Sequence, residues 1–84
     1  MPELKNPTQH NQLLSQCSAG QISQITALLG DSKIKMRLVH LGFHTNSIVE
    51  FVLKYGNNIV VSVDGSRFAM DQNIATYIQV EPLS

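Results

Sequence analysis

Apolar and polar positions alternate most plainly at Ile59, Val61 and Val63, with Val60 and Ser62 between them. That period of two predicts a strand with one face in a core. Asp64-Gly65 follows at once, and Asp-Gly suits a two-residue type I′ hairpin turn, which needs positive φ at both central residues. Phe68 and Met70 then alternate with Arg67 and Ala69, so a return strand lays its apolar side chains on the same core. Asp71 ends it with a side-chain oxygen placed to cap a following helical turn. Strand, turn, strand and cap fit in a dozen residues, and the other segments read as pieces packed onto this hairpin.

Ile22, Ile25 and Thr26 give Gln21 to Leu29 the β-branched content of a first strand ending at Gly30, with a bulge near Ser23-Gln24 repairing its imperfect alternation. Asp31-Ser32 supplies a helix cap and Gly42 a stop, and between them Ile34, Leu38 and Leu41 form one apolar stripe at helical spacing. Met36, Val39 and His40 fall on the opposite, outward side, and Arg37 flanks the stripe, where its aliphatic stem can cover the core. Asn46 is a candidate for positive φ in the link that follows. Ile48 to Leu53 reads as a second long strand with Val49, Phe51 and Leu53 on one face and Ile48, Glu50 and Val52 on the other. Tyr55-Gly-Asn-Asn58 turns into the hairpin. Asp71 to Thr76 allows a short helical turn with Ile74 and Ala75 inward, and Ile78 and Val80 mark a closing strand that Glu81-Pro82 terminates. About five strands and one helix of any length predict a mainly β fold, a small, partly open barrel.

Residues 1–11 carry Pro2 and Pro7, lack periodicity and are expected to form a tail, leaving residues 12–84 as a single domain. At 84 residues the core is small. Six Lys and Arg balance six Asp and Glu, which leaves no basic stripe for a phosphate backbone and argues against nucleic acid and against a polybasic membrane patch. No apolar run approaches the ~20 residues that span a bilayer, so direct membrane insertion is not expected. A single Cys17, with no secretory signal, points to a reducing, cytoplasmic setting.

Candidate chemistry is sparse. His40 and His44 stand four apart, but Gly42 interrupts the helix that would bring them to one face, and no carboxylate cluster or paired cysteines supply further ligands. No metal site and no cofactor are therefore expected. Cys17 has no Lys, Arg or His near it in sequence and reads as a small buried hydrophobe. Gly30-Asp-Ser-Lys33 lacks the glycine spacing of a phosphate loop. No triad or cleft points to an enzyme.

Several of these pieces coincide with one known pattern. Gly20, the strand around Ile25, Arg37-Leu38-x-x-Leu41-Gly42-Phe43, Ser47-x-Val49-Glu50-Phe51, the hairpin into Phe68-Ala-Met70, and the closing Ile74-Ala75 and Ile78-x-Val80 resemble the ferrous iron transport protein A (FeoA) family over residues 13–83. Two loops depart from it: Thr45-Asn46 stands where Pro-Gly is usual, and Asn57-Asn58 where Asp-Pro is common. The resemblance implies an SH3-like barrel and a non-catalytic accessory role in ferrous iron uptake. Its implied partner is the cytosolic, GTPase-bearing part of a FeoB-type membrane transporter, which would recruit the protein to the inner face of the plasma membrane. The outward residues Met36, Val39, His40, Ile48, Tyr55 and Arg67 are the expected contact surface. The same module also closes metal-dependent repressors, so a metal-responsive regulatory module with transition metal binding is the alternative. No helix-turn-helix is written in these residues, which favours the free-standing accessory protein. Weak self-association through an unpaired barrel edge is compatible with either.

Overall fold

The computed structural model describes residues 11–83. The expected N-terminal tail lies outside the described residues except for Asn11. Among the described residues six antiparallel strands form one sheet in the order β1-β6-β2-β3-β4-β5. They are β1 (Gln12–Leu13), β2 (Ile22–Leu28), β3 (Ile48–Tyr55), β4 (Asn58–Val63), β5 (Ser66–Asp71) and β6 (Ile78–Pro82), with helices α1 (Ser32–Leu41) and α2 (Gln72–Ala75). The mainly β architecture, the helix between the first two long strands and the short helical turn near the C-terminus all match the sequence pattern. The sixth strand is the addition: β1 is two residues long and runs straight into a 3-10 turn, Leu14–Gln16. Leu14 in that turn is 1% exposed, so the turn carries a core residue.

The β4–β5 hairpin has the expected turn. Asp64 sits at φ 51° and Gly65 at φ 86°, as a type I′ turn demands, and Val63 faces Ser66 across it. On the inner side of the sheet Val49, Phe51, Ile59, Val61, Val63, Met70, Ile25, Ile78 and Val80 are buried. Phe43 and Phe68 close this core edge to face, their ring centroids 5.2 Å apart at 71°.

Helix α1 begins where Asp31 accepts a hydrogen bond from the Ile34 N–H (2.9 Å) and ends at Gly42, φ 108°. Gly30 seats the helix. An added Cβ there would meet Tyr77 Cδ1 at 3.0 Å and Ile34 Cγ2 at 3.1 Å, and its φ of +93° is itself unfavourable to other residues. After α1, Asn46 takes φ 79°, and its N–H donates to the Ile25 carbonyl (2.7 Å).

Three expectations need correction, each for a backbone reason. The β2 bulge lies between Ile25 and Ala27, not at Ser23-Gln24, so Ser23 stays on the inner face and is buried while Ile22 points out. Leu41 leaves the helical stripe and is 45% exposed, because the chain reverses at Gly42 and Phe43 fills the core position instead. Leu53 does not join Val49 and Phe51. A second bulge between Phe51 and Leu53 shifts the register, so Leu53 faces Val60 on the outer side.

Candidate functional site: two outward surfaces

The six residues expected at a contact surface divide between two places. Met36, Val39 and His40 lie on α1, whereas Ile48, Tyr55 and Arg67 lie on the outer face of the sheet. Ten residues at 100° per residue explain the first group: Ile34 and Leu38 turn inward, and Met36 stands opposite them with Val39 and His40 to either side. Met36 is 61% exposed and Val39 41%. The helix also carries Lys33, Lys35 and Arg37, half of the chain's six Lys and Arg, and no Asp or Glu. All three are exposed, so the apolar centre of this face is ringed by cations. Arg37 is therefore part of an outward ring. The lysines were missed as site candidates, although their helical spacing around Met36 was legible.

The second group is set by register. Residues opposite each other on antiparallel strands project from the same side. One outer row runs Ile22–Glu50–Ser62–Arg67, the next Leu53–Val60–Ala69, and the next Tyr55–Asn58–Asp71. Ile48 neighbours Gln24 just beyond the first row. Ile22 and Leu53 are the residues here that the pattern alone misassigned or passed over, since each depends on where a bulge falls.

A shallow groove of about 240 Å³ at one end of this face is lined by Ile22, Ile48, Glu50, Ser62, Asp64 and Gly65. A polar hollow of about 250 Å³ at the other end is lined by Asn57, Asp71, Gln72, Asn73 and Thr76. Both fall below the ~300–1,000 Å³ usual for small-molecule sites. The Asp71 carboxylate in the second is already engaged, accepting from the Asn73 N–H at 2.7 Å. Among the described residues no group of three or more His, Cys, Asp or Glu is placed to hold a metal ion. His40 and His44 are separated by the Gly42 reversal and both are exposed. Cys17 is buried, and burial pushes its thiol above the ordinary range, partly offset by a hydrogen bond with Ser23. A protonated, covered thiol is a poor nucleophile. No helix among the described residues is long and apolar enough to cross a membrane.

Taken together, the sheet topology and surface define an SH3-like module that presents surfaces rather than a cleft. The solved structure of FeoA from Stenotrophomonas maltophilia, in complex with zinc and described as a prokaryotic SH3 domain protein and candidate ferrous iron transport activating factor, has this fold: TM-score 0.71, 26% identity, covering 81% of this chain and 87% of that one. FeoA from Chlorobium tepidum superposes with a TM-score of 0.75 at 26% identity, covering 87% of this chain and 71% of that one. The chain belongs to the FeoA family: the FeoA domain pattern matches residues 12–82. This is a family of small domains implicated in ferrous iron transport, not a known class of enzyme. The fold is shared more widely, since a manganese-dependent transcriptional repressor in complex with manganese gives a TM-score of 0.82 at 20% identity, the match covering 92% of this chain and 39% of the repressor. No curated protein sequence matches the chain.

Proposed function

We propose that this protein is a non-catalytic accessory of ferrous iron uptake that docks on the cytosolic, GTPase-bearing part of a FeoB-type transporter. The observation that carries this reading is the outward face of α1: Met36 and Val39 exposed at the centre, Lys33, Lys35, Arg37 and His40 around them. Exposed apolar side chains rimmed by charge are the composition of a protein contact. Membership of the FeoA family supports the iron transport context. The cations of that rim, Lys33, Lys35 and Arg37, fit a partner surface that is apolar at its centre and acidic around it. Ile48, Tyr55 and Arg67, on the other face, take no part in this contact. GTP hydrolysis belongs to the transporter.

The test is co-purification of the transporter's cytosolic domain with wild type and with Met36→Glu/Val39→Glu. Both positions are exposed, so fold stability should change by no more than about 0.5 kcal/mol. Wild type is expected to retain the domain and the double variant to lose it. Equal recovery by two folded proteins would remove α1 as the docking surface.

A further inference from the structure

The outer face of β3, β4 and β5 has a property that the face of α1 lacks: it complements itself. Three rows cross it, and in each the β3 and β5 residues are opposites. They are Glu50 and Arg67, Leu53 and Ala69, and Tyr55 and Asp71, with Ser62, Val60 and Asn58 between them on β4. Consider a second copy laid face to face, related by a two-fold axis running along β4. Rotation about that axis exchanges the β3 side with the β5 side and keeps each row in place. Glu50 then meets Arg67 of the second copy, a carboxylate against a guanidinium. Leu53 meets Ala69, large against small. Tyr55 meets Asp71, whose carboxylate can accept from the phenol while still capping α2. Val60 packs on Val60 at the axis.

The perpendicular two-fold, running across the strands along the middle row, would set Arg67 against Asp71 and Glu50 against Tyr55 but Leu53 on Leu53 and Ala69 on Ala69, large on large and small on small, and is the poorer fit in shape. Tilting β4 by about 15° from the favoured axis gives the ~30° crossing common to aligned sheets about 10 Å apart. Glu50, Leu53, Tyr55, Arg67 and Ala69 are all exposed, so nothing in the described chain covers this face. We infer that the outer face of β3–β5 is an isologous dimer surface whose partner is a second copy of this chain.

The surface goes beyond the docking reading above and does not depend on it. A footprint of about nine side chains is smaller than the ~800 Å² per partner of stable complexes, so the dimer is weak, with a dissociation constant on the order of 100 μM. Sedimentation equilibrium of the full chain from about 20 μM to 1 mM reads it. Wild type is expected to shift from monomer to dimer across that range. Glu50→Arg and Arg67→Glu are each expected to weaken dimerisation at least tenfold, and Glu50→Arg/Arg67→Glu to bring it back within about threefold of wild type. Backbone amide shifts that move with concentration should cluster on β3, β4 and β5. A chain monomeric at 1 mM would overturn the inference. So would a dimer indifferent to both single reversals, as edge-to-edge strand pairing through β1 or β5 would be, or a double reversal that fails to restore it.

Discussion

Helix α1 holds Met36 and Val39 outward among Lys33, Lys35 and Arg37, with no carboxylate on the element. The outer face of β3–β5 exposes apolar side chains too, but sets Glu50 and Asp71 against Arg67 and Tyr55 across two strands. One face has a single sign of charge and repels its own kind; the other has both signs in register and attracts it. Exposed hydrophobicity is common to the two faces, and the arrangement of charge around it decides what kind of partner each accepts.

The largest expected effect separates the faces by dislodging one of them. Gly30→Ala forces a Cβ against Tyr77 and Ile34 at positive φ, and should cost about 2–3 kcal/mol by urea denaturation. The strain falls under α1, so amide protection should drop there before it drops in β3–β5. Asp31→Ala removes the cap alone and should cost about 1 kcal/mol, again confined to α1. Lys33→Glu/Arg37→Glu leaves Met36 and Val39 in place but reverses part of the ring. Association with the transporter's cytosolic domain should slow about tenfold at low salt and converge on wild type near 0.5 M, where exposed charges are screened. Dimerisation should not respond to that variant.

The smallest effect touches neither face. The Cys17 thiol titrates higher in the folded chain than in the unfolded one, so the folded state keeps a proton that the unfolded state loses. That contribution is complete below the ordinary thiol value and is lost as pH rises from there through the raised value of the folded chain. Stability measured between pH 7 and pH 9.5 should therefore decline slightly, and Cys17→Ala should abolish the decline.

The hairpin, both helix caps, the stop at Gly42 and positive φ at Asn46 were legible in the sequence, because turn and cap chemistry is local and a few residues decide it. The α1 face was legible for the same reason, as helical spacing alone turns Met36 and Val39 away from Ile34 and Leu38. Bulges are another matter. Thr26 and Val52 are ordinary strand residues, and only pairing with β6 and β4 reveals that the register slips beside them. That slip puts Leu53 outside and Ser23 inside. The rows on the outer face were hidden for a related reason: Glu50, Ser62 and Arg67 become neighbours only once three strands are aligned. The turn at Leu14–Gln16 escaped because a core residue in a short polar stretch leaves no period to detect.

Calorimetric titration of the transporter's cytosolic GTPase-bearing domain with three chains tests the central claim most directly: wild type, Met36→Glu/Val39→Glu and Glu50→Arg. Affinity should fall at least tenfold for the α1 variant and match wild type for the sheet variant. Equal affinity for all three, or a loss confined to Glu50→Arg, would contradict the assignment of α1 to the transporter.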